Sequence, residues 1–319
     1  MKNQRIVNIR AFAILIVVLG HSIILYSDSW NIFETTYRVP VLSILKDIIN
    51  IIQMPLFFSL SGFLFFYSSQ KKKSVSCFIK NKIIRLIVPY MCTAFLYMVP
   101  LRLLIDYSHY ERLTVPDIVK QILLGYNNGH LWYLYALFII FIIMYFLDIV
   151  LKWIENNVVY IIVFFIMTVL SLNVNNWGLG FINDAIRYLM WFYMGYMLNK
   201  YEHKQKDIAK NPIMLMAVLF VIMWLFTRNS VLEVIASLMS VLLIYRTFPQ
   251  KSSKIVDIIS ENSFGIYLFH SPLIYITYTY IPNAMPVWVV LLNFVVFGLI
   301  AFGMSYYIKK TRFKFMIGD

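Results

Sequence analysis

Stretches of about twenty predominantly apolar residues recur along the whole chain, and they limit the folds open to it. Segments of this length match the thickness of a bilayer, where only helices and closed barrels satisfy every backbone hydrogen bond. The chain is 61% hydrophobic and only 13% charged, unlike a soluble domain. We therefore expect an all-α integral membrane protein in which residues 1–319 form a single transmembrane domain.

The apolar stretches predict a bundle of about ten transmembrane helices. The predicted spans are 6–26, 48–68, 83–104, 132–151, 157–173, 181–199, 212–227, 231–247, 263–281 and 287–308.

The basic residues predict the orientation of these spans. A cytoplasmic N-terminus places most of the 28 lysines and arginines in cytoplasmic loops, as the positive-inside rule requires. Ten crossings then return the C-terminus to the cytoplasm as well. We expect loops 27–47 and 105–131 to face outward, and loops 69–82, 200–211 and 248–262 to face inward. Topology accounts for the net charge of +13, so no nucleic-acid partner is needed.

Arg10 and His21 lie in the first predicted span, where ionisable side chains are costly and usually face a protein interior or a water-filled cavity. Eleven residues correspond to about three helical turns, so both residues lie on nearly the same face, about 16 Å apart along the axis. A snorkelling arginine and a hydrogen-bonded core histidine are the structural alternative. The pair together favours a functional site.

A proline and several small residues mark the second span, whose residues 55–63 read PLFFSLSGF. Ser59, Ser61 and Gly62 favour close helix packing, which is the structural reading. A kink at Pro55 that shapes a cavity is the functional one.

Lys82 and Arg85 lie about one helical turn apart at the cytoplasmic end of the third span, just before the sequence IVPY at 87–90. Cations at a membrane mouth suit phosphate groups. Attraction to anionic lipid explains many such clusters equally well, so both readings stay open.

Two further histidines lie in or at the membrane. His130 stands beside Trp132 and Tyr133 in the segment GHLWY at 129–133, and His270 lies in SFGIYLFHSP at 263–272. These four residues are candidates for an acceptor site or cavity, although interfacial anchoring is an alternative for the aromatic ones. The two cysteines show no metal-ligand spacing, so no metal site is predicted.

Taken in order, these motifs resemble those of the acyltransferase 3 family over essentially the whole chain. Members are ten-helix bacterial membrane proteins, including polysaccharide O-acetyltransferases and fucose 4-O-acetylase-like proteins. The resemblance implies transfer of an acyl group, most simply acetyl, from cytoplasmic acyl-CoA to a hydroxyl of a cell-surface or lipid-linked saccharide. It implies a bacterial plasma membrane location, with acyl-CoA as co-substrate rather than bound cofactor.

The resemblance also implies roles for particular residues. The Arg-x10-His motif of the family maps onto Arg10 and His21, and its Arg-x-x-Arg motif maps onto Lys82 and Arg85. Lysine at position 82 departs from the pattern, because it keeps the charge but lacks the planar fork that binds phosphate bidentately.

The chemistry of the residues agrees with this reading. A sugar hydroxyl attacks a thioester poorly unless its proton is removed, and an imidazole suits that role, so His21 is the predicted general base. Asp28 or Glu34 could orient it. Arg10 would bind the donor or stabilise charge on the thioester oxygen.

Two other functional classes remain open. A transporter or flippase of a saccharide or small molecule would also place arginine and histidine along an inward face, although no inverted repeat is visible. The other class is a subunit of a polysaccharide-export complex.

Overall fold

The computed structural model of the chain describes residues 3–28, 35–71, 74–107, 110, 113–174, 181–202 and 210–319. Within these ranges the regular secondary structure is entirely helical. The predicted all-α fold is therefore confirmed.

Eleven helices carry the labels used below. In chain order they are α1 (Gln4–Ile23), α2 (Pro40–Ser69), α3 (Val75–Leu104), α4 (Val115–Leu123), α5 (Trp132–Ile154), α6 (Asn157–Asn173), α7 (Phe181–Lys200), α8 (Lys210–Thr227), α9 (Ser230–Thr247), α10 (Lys254–Tyr280) and α11 (Pro286–Lys309). A 3₁₀ segment, Arg312–Ile317, follows α11.

Each of the ten predicted spans coincides with a helix. In the described part of the chain, seven stretches are long and apolar enough to cross a membrane, and they contain α1, α2, α3, α5, α8, α9 and α11. Helix α6 is apolar but shorter, whereas α7 and α10 carry more polar residues. The chain is a multi-pass membrane protein.

Three helices begin about two turns before the predicted spans. Helix α2 begins at Pro40 rather than 48, α3 at Val75 rather than 83, and α10 at Lys254 rather than 263. The predictions stopped where charged residues appear, yet backbone hydrogen bonding continues through polar turns because it does not depend on apolar side chains.

Two π-helical turns interrupt α3, at Ile83–Ile87 and Ala94–Met98. Each ends two residues before a proline, Pro89 or Pro100. Proline lacks the N–H that would bond the carbonyl four residues earlier, and its ring crowds that carbonyl, so the preceding turn widens. The first widened turn contains Arg85.

The chain forms two compact units. The first comprises Met1–Gln53, Val88–Leu131 and Pro249–Asp319, and the second comprises Met54–Ile87 and Trp132–Phe248. Helices α1, α10 and α11 belong to the first unit, and α5 to α9 belong to the second.

Small residues in the second unit bring α2 and α7 into backbone contact. A Cβ added to Gly62 would lie 1.8 Å from the carbonyl oxygen of Phe192, and one added to Gly195 would lie 1.8 Å from that of Ser59. The packing role predicted for Gly62 is confirmed, because only glycine permits so close an approach.

The outer-loop region predicted at 105–131 contains the helix α4, which sequence reasoning missed. Its start has a capping box, in which the Thr114 side chain bonds the Asp117 N–H and the Asp117 carboxylate bonds the Thr114 N–H. The hydrogen bonds from Thr114 lower the pKa of the Asp117 carboxyl.

Candidate active site

Arg10 and His21 both lie on α1, which runs without interruption from Gln4 to Ile23. Each side chain is half-buried. Because the helix is regular between them, the two residues lie on nearly the same face, about 16 Å apart along the axis.

His21 contacts a second imidazole. Its Nδ1 lies 2.8 Å from Nε2 of His270, and the two rings are inclined by only 10°. His270 is on α10 and is fully buried, at 0% exposure. Its other nitrogen, Nδ1, lies 3.0 Å from the carbonyl oxygen of Ile266 and 2.8 Å from that of Tyr267. The pair is therefore hydrogen-bonded at both ends of the His270 ring.

His130 joins this pair in the first unit. Its ring meets His270 edge to face, with centroids 5.5 Å apart. Its Nε2 donates to the carbonyl oxygen of Leu268 at 3.0 Å, and its own carbonyl accepts a hydrogen bond from the Tyr267 hydroxyl. Three histidines predicted separately from the sequence thus come together around α10.

A buried lysine lies next to this cluster, and sequence reasoning had assigned it to an outer loop. Lys46 is only 2% exposed, and its Nζ lies 3.2 Å from where a Cβ on Gly20 would be. Ile49 and Gln53 border the same position at 2.9 Å. The spacing 46, 49, 53 places all three on one face of α2, and this is the sequence signal that could have revealed the contact.

Of the two carboxylates predicted to orient His21, one lies within the described residues. Asp28 is exposed, and its Oδ2 accepts a hydrogen bond from Ser43 Oγ at 3.0 Å. Glu34 lies outside the described residues.

Lys82 and Arg85 line a cavity in the second unit, with a volume of about 510 Å³. Two more lysines, Lys71 and Lys152, line the same cavity, which makes it strongly basic. Lys82 Nζ lies 3.2 Å from the centre of the Phe141 ring, a cation–π contact that fixes its position. The structure therefore brings these two predicted residues together in one cavity.

An ion pair in this cavity escaped the sequence analysis. Lys152 Nζ lies 2.8 Å from Asp148 Oδ2, and Asp148 Oδ1 accepts a hydrogen bond from the Tyr196 hydroxyl at 2.8 Å. Lys152 also donates to the carbonyl oxygen of Ser69 at 2.9 Å. The sequence signal was a carboxylate and an ammonium one turn apart at the end of an apolar span.

Trp132 and Tyr133 belong to an aromatic cluster of the second unit. The Trp132 ring lies 5.3 Å from Tyr188, and the Tyr133 ring lies 4.8 Å from Phe58. The Tyr133 hydroxyl is 3.1 Å from Ser61 Oγ. These contacts give α5 a packing role at this end.

Across the described ranges, no group of three or more His, Cys, Asp or Glu residues is arranged to hold a metal ion.

A family model described as an acyltransferase domain, acyltransferase 3, matches residues 3–310, which is nearly the whole chain. No curated protein and no solved structure matches the chain.

Proposed function

The chain belongs to the acyltransferase 3 family and is a membrane O-acyltransferase, and on that premise we propose that it acylates a saccharide. The proposed donor is cytoplasmic acyl-CoA, most simply acetyl-CoA, and the proposed acceptor is a hydroxyl of a surface or lipid-linked glycan. The supporting observation is the half-buried imidazole of His21, which is hydrogen-bonded by a second imidazole within a membrane helix.

The proposed reaction uses His21 as general base. As the acceptor oxygen attacks the thioester carbonyl carbon, His21 removes the hydroxyl proton, and a new C–O bond forms while the C–S bond breaks. The proton then passes from His21 to the leaving sulfur, so the products are the O-acyl glycan and CoA thiol, and the imidazole is restored. Arg10, a fixed cation on the same helix face, would stabilise negative charge on the donor.

The basic cavity fits the nucleotide end of the donor. CoA carries a pyrophosphate and a ribose phosphate, and the cavity contains four basic residues, Lys71, Lys82, Arg85 and Lys152. Arg85 can bind a phosphate bidentately, whereas Lys82 acts as a point charge. The Asp148–Lys152 pair leaves this cavity with a net positive charge.

The acceptor residues predicted from the sequence remain a proposal. Trp132 is half-buried and offers an aromatic face to a sugar ring, with Tyr133 beside it. His130 is 4% exposed and His270 is fully buried, so these two would shape the surroundings of His21 rather than contact the saccharide.

The proposed setting is a bacterial plasma membrane, with both termini in the cytoplasm and residues 1–319 acting as one catalytic domain. The positive-inside distribution of the basic residues supports the proposed orientation.

The test is mass spectrometry of surface glycans from cells that express the wild-type chain, His21→Ala or no protein. We expect acylated glycan only with the wild-type chain. Leu15→Ala, an exposed position on α1, is the matched control and should acylate normally. Wild-type acylation by a well-expressed His21→Ala variant would refute the role of His21 as base.

A further inference from the structure

We propose that His270 is a positioning residue that holds His21 in the tautomer with its lone pair on Nε2. The inference rests on the proposed function of His21 as general base. It is carried by the hydrogen bonds on both nitrogens of the buried His270 ring.

The first step concerns the proton on His270. Nδ1 of His270 faces two carbonyl oxygens, of Ile266 and Tyr267, at 3.0 and 2.8 Å. A carbonyl oxygen can only accept a hydrogen bond, so Nδ1 must carry the hydrogen. The lone pair of the neutral His270 ring is therefore on Nε2.

The second step determines which nitrogen of His21 carries the hydrogen. Nε2 of His270 lies 2.8 Å from Nδ1 of His21, a distance at which one hydrogen must lie between the two nitrogens. Because His270 Nε2 is an acceptor, the hydrogen belongs to His21 Nδ1. The neutral His21 ring then has its lone pair on Nε2, and this is the atom that can remove a proton. The 10° angle between the ring planes and the 5.0 Å between the ring centroids, taken with the 2.8 Å between the nitrogens, place the N–H and the lone pair in line.

The third step is the stabilisation of the charged state. When His21 Nε2 takes the proton of the acceptor hydroxyl, the ring becomes an imidazolium and its Nδ1–H becomes a stronger donor. The hydrogen bond to His270 then becomes charge-assisted and stronger. His270 keeps its own hydrogen on Nδ1 throughout, so it orients and stabilises His21 without transferring a proton.

The helix that carries His270 also fixes the backbone of His21. Tyr278, eight residues or about two turns beyond His270, donates a hydrogen bond from its hydroxyl to the carbonyl oxygen of His21. Side chain and main chain of His21 are thus held by one face of α10. Lys46, His130 and Tyr267 are further titratable groups near this pair.

The experiment compares substitutions of His270 that keep or remove the acceptor. His270→Gln places an amide oxygen near the position of Nε2, whereas His270→Phe fills the volume without an acceptor. His270→Leu also lacks an acceptor and is measured in parallel, so the comparison does not depend on the folding of one variant. The assay follows release of CoA thiol from acetyl-CoA by purified protein, with deacylated glycan from cells lacking the protein as acceptor.

We expect His270→Phe and His270→Leu to lower kcat by about 100-fold, the lower end of the range for a general-base contribution, with KM for acetyl-CoA changed less than about twofold. His270→Gln should recover at least about tenfold of that loss. In a His21→Ala background, His270→Phe should cause no further loss. The matched control is Ser271→Ala, a buried neighbour on the same helix, which should retain wild-type kcat.

The results distinguish an error in the positioning role of His270 from an error in the role of His21. If His21→Ala is inactive but folded His270→Phe keeps wild-type kcat, the positioning role is wrong and the proposed function stands. Equal loss in folded His270→Gln and His270→Phe would also overturn it, since shape rather than the acceptor would then matter. Wild-type activity in His21→Ala would instead refute the role of His21 as general base, on which the inference rests, while acyl transfer itself would stand.

Discussion

Arg102 shows how a single charge is held inside this chain. The side chain is 2% exposed, and its guanidinium lies 4.7 Å from the ring centre of Tyr107 and 5.2 Å from that of Tyr275. Nη1 donates to the carbonyl oxygen of Asn127 at 2.8 Å. The planar cation therefore links the end of α3, the following loop and α10 through stacking and hydrogen bonding.

We expect Arg102→Lys to lower the free energy of unfolding by about 2 kcal/mol, because lysine cannot stack as a plane while it bonds the loop carbonyl. The measurement is thermal unfolding of purified protein in detergent. Lys120→Met, at an exposed position of α4, is the control and should leave the unfolding temperature unchanged. An unchanged temperature in Arg102→Lys would contradict the stabilising role of the planar guanidinium.

The basic cavity gives a second prediction for single residues. Arg85→Ala should weaken acyl-CoA binding by about tenfold or more, since a charged hydrogen bond contributes about 1.5–3 kcal/mol. Arg10→Ala should also weaken binding, and Lys82→Arg should preserve or strengthen it. Isothermal calorimetry with acetyl-CoA measures all three, with Lys120→Ala as a control far along the sequence from the basic motif. Unchanged affinity in both alanine variants would show that these cations set the membrane orientation and do not bind the donor.

The sequence could identify several residues of the site but could not predict their contacts. His21, His130 and His270 stand out because titratable side chains are rare in apolar spans. Their contact could not be predicted, since 249 residues separate His21 from His270 and no local pattern encodes it. Lys46 was misplaced because a charge at the edge of an apolar run looks like a loop residue.

At the scale of helices, the closest packing depends on two glycines. Gly62 on α2 and Gly195 on α7 each lie against the backbone of the other helix, so an added methyl group would meet main-chain oxygen. Backbone cannot move aside as a flexible side chain can, and therefore the helices themselves would have to separate.

Gly62→Ala and Gly195→Ala should each destabilise the protein by about 3 kcal/mol, the upper part of the range for overpacking. Gly303→Ala is the matched control, because nothing lies within 4 Å of its Cβ position on α11. Alanine there should stabilise the protein by up to about 1 kcal/mol through helix propensity. Thermal unfolding in detergent measures all three. Equal behaviour of the three variants would contradict the close contact.

Helix positions were largely predictable from hydropathy, whereas helix ends were not. All ten predicted spans are helices, because a long apolar run has no other stable form in a bilayer. The early starts of α2, α3 and α10 escaped prediction since polar turns extend a helix beyond its apolar part. Helix α4 was missed because it lies outside any long apolar run.

At the scale of the whole molecule, the proposed orientation has a direct test in cysteine labelling. Cys77 is exposed in the first turn of α3, within the segment 69–82 that we expect in the cytoplasm. In a Cys92→Ser background, a membrane-impermeant maleimide should label Cys77 only after the membrane is opened.

The control for this labelling is a cysteine in a segment that we expect on the outer side of the membrane. Asp117→Cys, in a background lacking Cys77 and Cys92, should react in intact cells because residue 117 is exposed at the start of α4, in the segment 105–131 that we expect outside. Labelling of Cys77 in intact cells would invert the orientation. It would place the Lys82 and Arg85 cavity on the side without acyl-CoA and refute the donor assignment.

The widened turn at Ile83–Ile87 affects how a one-residue deletion in this part of the chain should be interpreted. A π turn contains one more residue than the α-turn it replaces, so the helix before it is rotated by about 100° relative to a regular helix. A chain one residue shorter here could still form a continuous helix, yet Lys82 would point in another direction relative to the residues that follow. Alignment of relatives should therefore treat a one-residue gap next to Pro89 as a change of geometry, even where every basic residue is retained.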